Sequence, residues 1–333
     1  ASAWPGNQRI QHDTTDPQLV ETRDISQGVT MHPTLFTIGT LNIPTYTVLL
    51  DLGLILGLVL TYFEGKRVLG STETPWDLGL WAVIGGIIGG RLGDLLANWN
   101  AFSEDWGRAL RIWEGGLAFH GALLGGLMVL VAFWALQRRR EEAFSFWQLA
   151  DVVTPGLALG LVFGWAACLF GGCAYGILGQ GLGYAVLPDI YGVTASRFAT
   201  QAVGLVWALL LFVIFWLLRK RWPFPGAAFL MYLLVYFGGQ LFLEFTRGDE
   251  AIYLGPWRLA QVLDLVIALV AAAGVLILWW QDWAKAAELD EPQGLEETES
   301  NEQADAPVDP DAPVDHPADL PVAPEPSDPP AAE

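Results

Sequence analysis

The sequence is short of charged residues. Only 16% of its 333 residues are charged, and 53% are hydrophobic, whereas a soluble domain carries roughly 25% charged residues. A basic excess is also missing, because the chain has 17 Lys and Arg against 36 Asp and Glu, and a nucleic-acid-binding protein needs a basic face. These shortages exclude an ordinary soluble enzyme and a nucleic-acid binder.

Cysteine and histidine are scarce as well. Two cysteines, Cys168 and Cys173, cannot build a disulfide scaffold or a four-cysteine zinc site, and the four histidines, at 12, 32, 120 and 316, are too scattered for a metal site. Residues five apart point about 140° apart on a regular helix, so a disulfide would need a helix break near Gly171. We therefore expect both cysteines to be small apolar packing residues.

Long apolar runs, in contrast, fill most of the chain. A helix needs about 20 apolar residues to cross the roughly 30 Å hydrocarbon core of a bilayer, and these runs lack the alternation of a membrane barrel. Seven runs qualify, at about 46–63, 79–97, 116–136, 146–170, 199–218, 226–245 and 259–280. The sequence predicts an all-α polytopic membrane protein, with seven transmembrane helices in a domain over residues 32–281.

Basic residues cluster in the odd-numbered connections between these spans. Lys66 and Arg67 follow the first span, three arginines at 138–140 follow the third, and three basic residues at 219–221 follow the fifth. Because short cytoplasmic loops carry an excess of Lys and Arg, these connections are predicted to be cytoplasmic. The N-terminus is then outside and the C-terminus inside.

The two ends of the chain are expected to lie outside the membrane domain. Residues 1–31 are polar and show no signal-peptide pattern, which favours an arm on the outer surface. Residues 282–333 contain 16 acidic residues and 10 prolines against one lysine. Such a segment cannot bury a core and is predicted to be a disordered cytoplasmic tail. A docking segment for a basic partner of unknown identity is the alternative interpretation.

Several ionisable residues interrupt the apolar spans, where leaving them in hydrocarbon costs several kcal/mol. They are Asp51, Arg91, His120, Glu244 and Asp264. Under the predicted orientation the first four lie toward the outer leaflet, together with Arg247, which indicates a functional site there. For Arg91, helix packing with a pair to Asp94 is the alternative interpretation.

The residues around Arg91 and His120 resemble a known family. Residues 89–93 (GGRLG) followed by 114–121 (EGGLAFHG) closely resemble prolipoprotein diacylglyceryl transferases. The resemblance continues in order along about residues 32–281, through segments ending in Tyr46 and Gly176 and then through Arg197, Thr200, Gln201, Tyr236, Glu244, Arg247 and Gln261.

This resemblance implies an enzyme of the bacterial plasma membrane that transfers the diacylglyceryl group of phosphatidylglycerol to the lipobox cysteine thiol of a prolipoprotein. It implies no cofactor or metal. His120 would be the catalytic base. The substrate-binding residues would be Tyr46, Arg91, Gly176, Arg197, Tyr236, Glu244 and Arg247, with Glu244 holding an arginine in place.

The chain also departs from the family pattern. The family has an arginine, an asparagine and a glutamate where this chain has Trp165, Cys168 and Cys173, and a further arginine where it has Gln240. These departures keep open a second interpretation, a catalytically inactive, lipid-binding membrane subunit with the same fold. A channel or transporter is a third, although the charged residues gather in one leaflet and no inverted repeat is visible.

Overall fold

The computed structural model describes residues 34–38, 41–71, 73–111, 116–139 and 143–290. The N-terminal arm predicted over residues 1–31 lies outside these ranges. So do residues 291–333 of the predicted tail and Glu114, the first residue of the 114–121 segment.

Helices dominate the described chain. They are α1 (Thr45–Leu69), α2 (Glu73–Ala97), the short α3 (Trp99–Glu104), α4 (Phe119–Gln137), α5 (Phe146–Gly171), α6 (Thr200–Leu218), α7 (Ala227–Leu243) and α8 (Leu259–Asp290). All except α3 are long and apolar enough to span a membrane, which confirms the seven predicted spans. The orientation of the termini stays a prediction.

Some helices extend beyond their hydrophobic runs. The first was predicted to stop near residue 63, but α1 continues to Leu69, and Gly70 ends it in a left-handed conformation with φ 67°. The added turn carries Glu64 and Arg67, which form an ion pair one turn apart. Charged residues can therefore continue a helix past the point where its hydropathy falls.

Six short strands form three antiparallel pairs between the helices. They are β1 (Thr34–Ile38), β2 (Leu41–Pro44), β3 (Tyr184–Pro188), β4 (Thr194–Phe198), β5 (Tyr253–Leu254) and β6 (Trp257–Arg258). β1 pairs with β2, β3 with β4, and β5 with β6. The second and third pairs lie in the α5–α6 and α7–α8 connections, which carry Arg197 and Arg258.

Glycine allows α2 and α4 to approach closely. A Cβ atom added at Gly89 would lie 2.7 Å from the Cα of Gly125, and one added at Gly93 would lie 3.1 Å from the Cα of Gly121. Small residues at such positions let helix backbones meet without intervening side chains. This contact fixes the start of α4, and with it His120, against α2.

The end of α5 overturns the expectation for the two cysteines. Helix α5 stops at Gly171, Gly172 adopts a left-handed conformation with φ 72°, and Cys168 and Cys173 form a disulfide with their Cα atoms 4.8 Å apart. The prediction that the two cysteines are separate packing residues was wrong. The helix ends at Gly171, which is the break that a disulfide between them requires, and the chain then turns back toward Cys168.

Candidate active site

His120 lies in the first turn of α4 and contacts a carboxylate of α8. Its Nε2 atom is 2.8 Å from Oδ1 of Asp264, a residue 144 positions away along the chain. The Asp264 side chain is only 3% exposed, while that of His120 is 20% exposed. If Nε2–H donates this hydrogen bond to the carboxylate, Nδ1 keeps a lone pair that can accept a proton from a substrate. A buried carboxylate that orients a partly exposed imidazole is an arrangement suited to general base catalysis.

Asp264 was not among the site residues predicted from the sequence. The signal was present, since Asp264 is a lone carboxylate within the apolar run of α8, but hydropathy does not say which residue such a carboxylate faces. Its contact with His120 depends on how α4 packs against α8.

Arg91 anchors the chain that leads into α4. It donates from Nη1 to the carbonyl of Gly116 at 2.9 Å and from Nε to the carbonyl of Ala109 at 3.1 Å, and it pairs with Asp94 at 3.1 Å. Ala118 N–H also donates to the carbonyl of Gly90 at 2.9 Å. These contacts support the packing interpretation of Arg91 and show how α2 positions the residues just before His120.

Glu244 joins two arginines in a compact ionic network. Arg247 pairs with Glu244 and with Asp249, while Arg258 lies 3.1 Å from Glu244 and 2.8 Å from Asp249. Burial by itself would lower the pKa of Arg247, but the carboxylates of Asp249 and Glu244 outweigh it and raise the pKa, so the guanidinium stays charged. The expectation that Glu244 holds an arginine agrees with these contacts, whereas Asp249 and Arg258 were missed.

A cavity of about 340 Å³ opens beside this network. Its lining includes Glu244, Arg247, Arg258 and Gln261. Each terminal guanidinium nitrogen carries two hydrogens, so Arg247, whose side chain is 24% exposed, can donate to a ligand and keep its carboxylate partners. The cavity can therefore receive an oxyanion.

Gly176 closes the end of the site through its backbone. It bridges Arg247 in an antiparallel arrangement, while Leu178 does the same with Arg197. A Cβ atom at Gly176 would lie 2.7 Å from Oγ1 of Thr200, so the position requires glycine. The segment after the disulfide thus joins the Arg247 chain to the Arg197 chain.

Arg197 is held away from the cavity by its own partners. It pairs with Asp189 at 2.8 Å and stacks over the ring of Tyr175, 4.6 Å from the ring centroid. Burial raises the pKa of the Tyr175 phenol, against an opposing effect of the Arg197 charge. Both pairings indicate a role in holding the α5–α6 connection.

The two predicted tyrosines occupy different environments. Tyr46 is 37% exposed at the start of α1. Its ring packs against Gly171, where an added Cβ atom would lie 2.8 Å from Cδ2 of Tyr46. Tyr236 is 2% exposed in an aromatic core, and its hydroxyl accepts a hydrogen bond of 3.1 Å from Nε1 of Trp165. Tyr46 therefore borders the disulfide turn, while Tyr236 is tied to a residue that departs from the family pattern.

Helix α8 connects the His120–Asp264 pair with the cavity beside Arg247. Gln261 lines the cavity and Asp264 contacts His120, and residues three apart lie on the same helix face. Phe237 packs against both His120 and Tyr236, with ring centroids 6.3 Å and 5.3 Å apart. The structure thus brings together His120, Tyr236, Glu244 and Arg247 around the start of α8. Arg91 of α2 and Arg197 of β4 hold the neighbouring loops.

Comparison with known proteins points to one family. Residues 33–280 match the model of the family described as prolipoprotein diacylglyceryl transferase. A protein of Thermosynechococcus vestitus named phosphatidylglycerol–prolipoprotein diacylglyceryl transferase is 31% identical over 259 residues, covering 74% of this chain and 94% of the relative. Proteins of the same name from Acaryochloris marina and Listeria monocytogenes are 34% and 28% identical, each over 74% of this chain and over 90% and 89% of the relative. The chain belongs to the prolipoprotein diacylglyceryl transferase family.

Proposed function

We propose that this protein transfers the diacylglyceryl group of phosphatidylglycerol to the lipobox cysteine thiol of a prolipoprotein in the bacterial plasma membrane. The observation that carries the proposal is the contact of His120 with buried Asp264, one helical turn from a cavity lined by Arg247 and Arg258. Family membership supplies the reaction, and these residues supply a base and cations for it.

The reaction is a displacement at a glycerol carbon of the lipid. His120 takes the proton of the cysteine thiol, because the thiolate is the nucleophile. The sulfur forms a bond to the glycerol carbon, the carbon–oxygen bond to phosphate breaks, and glycerol phosphate leaves with the electron pair. Arg247 and Arg258 are in a position to stabilise the charge that develops on the leaving phosphate.

Asp264 serves this step by orienting His120. Its carboxylate holds the imidazole through Nε2, and its negative charge stabilises the imidazolium that forms when Nδ1 takes the thiol proton. Phe237 and Phe119 pack beside the ring, with centroids 6.3 Å and 5.4 Å from that of His120, which limits rotation of the imidazole. The direct substrate contacts of Tyr46, Arg91, Gly176 and Arg197 stay predictions.

The site is proposed to face the outer side of the membrane. The basic clusters predict this orientation, and the disulfide next to the site supports it, since disulfides persist in oxidising compartments such as the periplasm. The lipobox cysteine of a secreted precursor reaches the same side.

Gln240 offers a neutral donor where the family resemblance has an arginine. It is 6% exposed and lies beside the Tyr236 hydroxyl. Its amide nitrogen carries two hydrogens, so it can also donate to a lipid phosphate or glycerol oxygen.

One observation favours the second candidate function, lipid binding without transfer. The Trp165 indole N–H is bonded to the Tyr236 hydroxyl, and the ring packs on Gly204, where an added Cβ would lie 2.6 Å from Trp165 Cε2. This bulky side chain fills space where the family has an arginine that could reach a phosphate.

The experiment that tests the proposal uses purified protein, phosphatidylglycerol and a synthetic lipobox peptide. Mass spectrometry should show the peptide gaining the mass of one diacylglyceryl group. His120→Gln should abolish the gain while the protein still binds phosphatidylglycerol, because glutamine keeps a hydrogen bond but is too weak a base. A wild-type protein that binds phosphatidylglycerol without modifying the peptide would refute the transferase and establish the lipid-binding alternative.

A further inference from the structure

A second cavity, of about 300 Å³, lies at the other end of the bundle. It is enclosed by the end of α1, the start of α5, the end of α6 and the α6–α7 connection. Thr154 of α5 lines this cavity, and Gly171 of the same helix packs against Tyr46 near the proposed active site. At 1.5 Å per residue, the two positions are about 25 Å apart along α5. The cavity is therefore separate from the site described above.

The two carboxylates of this cavity are already satisfied. Glu64 is 5% exposed and accepts hydrogen bonds from Nε and Nη2 of Arg67. Asp151 accepts from the backbone N–H groups of Gly226 and Phe229 at 2.6 Å and 2.9 Å, which caps the start of α7. Arg67 neutralises the charge of Glu64, and the start of α7 stabilises the charge of Asp151 without removing it.

The cavity has three basic residues against these two carboxylates, and two of the three have no carboxylate partner among the described residues. Among the described residues, Lys220 has no carboxylate partner. The Arg219 guanidinium donates to the carbonyl of Trp216 and stacks over the Trp216 ring, while the Arg219 carbonyl accepts from Nη2 of Arg67. Arg67 keeps its Nη1 atom free of the Glu64 contacts. The cavity therefore presents an excess of cationic donors and attracts an anion.

The other walls are apolar. Phe215, Trp222 and Phe224, with Pro155 and Val68, line the cavity between its charged groups. A small soluble anion would leave these surfaces in contact with water, whereas the glycerol backbone and first acyl carbons of a lipid would cover them. Basic pockets between transmembrane helices on the cytoplasmic side are suited to anionic headgroups.

We propose that this cavity binds the headgroup of an anionic phospholipid from the inner leaflet, with the phosphate against Arg67, Arg219 and Lys220. The site is independent of diacylglyceryl transfer. The lipid joins α1, α5, α6 and α7 at their cytoplasmic ends and acts as a structural ligand of the bundle.

Native mass spectrometry of the full-length protein in detergent tests this proposal. The probe is phosphatidic acid, which carries the anionic phosphate, and phosphatidylcholine is the neutral comparison. Wild-type protein should retain phosphatidic acid with at least about tenfold higher affinity than phosphatidylcholine. Replacing both Arg219 and Lys220 with Gln should lower the affinity for phosphatidic acid by about tenfold or more, since a charge-assisted contact is worth about this much.

Arg221→Gln is the matched control, because Arg221 belongs to the same basic cluster but does not line the cavity. It should leave the affinity within about twofold of wild type. If the double variant does not fold, Lys220→Gln alone serves as the test, since Lys220 is exposed, and about a fivefold loss is expected.

Three results would overturn the proposal. They are equal binding of phosphatidic acid by wild type and the cavity variants, an equal loss in Arg221→Gln, and displacement of the lipid by millimolar glycerol 3-phosphate. The last result would assign the cavity to a soluble phosphate compound.

Discussion

Replacing Asp264 with Asn removes one negative charge from the proposed active site and keeps the size of the side chain. Asp264 contacts His120 at 2.8 Å and is 3% exposed, so solvent cannot take over its stabilising effect on a charged imidazolium. The asparagine amide can donate to Nε2, which would force the imidazole proton onto Nδ1 and leave no lone pair for the thiol. The variant therefore loses both the correct tautomer and the charge that stabilises the imidazolium.

The expected loss follows from these two effects. A hydrogen bond to a charged group contributes about 1.5–3 kcal/mol, and general base catalysis as a whole contributes about 10²- to 10⁴-fold. We expect kcat to fall by about 10²-fold or more, whereas KM for phosphatidylglycerol should stay within about threefold. Asp264 does not line the cavity that contains Arg247 and Arg258, so binding of the lipid headgroup there should be little affected.

Initial rates of peptide modification at varied phosphatidylglycerol concentration separate kcat from KM. Asp282→Asn is the matched control, because Asp282 lies on the same helix but is exposed, and its kcat should stay within about twofold of wild type. The reasoning would be refuted if Asp264→Asn kept more than half of the wild-type kcat, or if KM rose while kcat stayed constant.

Three other perturbations test the helix packing, the orientation and the tail. Gly89→Ala should destabilise the protein by about 1–3 kcal/mol because its methyl group meets the α4 backbone, whereas Gly86→Ala, with 3.6 Å to the nearest atom, should have little effect; equal thermal midpoints would contradict this. A cysteine at Leu182, in the α5–α6 connection, should react with a membrane-impermeant thiol reagent in intact cells and one at Arg139 should not; the reverse pattern would overturn the orientation. Ending the chain after Asp290 should leave assembly and transfer near normal, because the removed segment, residues 291–333, is predicted to have no packed core. An inactive truncation would show that this segment docks on the rest of the protein.

Much of the fold could be predicted because its determinants are local. A run of about 20 apolar residues must form a helix in a bilayer, since each backbone polar group has to be satisfied within its own segment. The seven spans follow from this requirement alone. The helix ends were less accurate, as in α1, because charged residues such as Glu64 and Arg67 pair with each other and extend the helix beyond the apolar run.

The candidate site divides in the same way. Glu244 and Arg247 are three residues apart, and their pairing follows from helical geometry and could be anticipated. The disulfide could not be anticipated in this way, because it depends on the reversal of the chain after Gly171. Glycine permits a reversal but does not require one.

The sequence by itself determined the number of spans and the family, because these are recorded in local runs and short motifs. Only the tertiary structure decided what each charged side chain faces. It paired His120 with Asp264 across 144 residues and engaged Arg91 with the loop before α4. The physical reason is that burying a charge in an apolar bundle is costly without a partner, and helix packing brings that partner from a distant part of the chain.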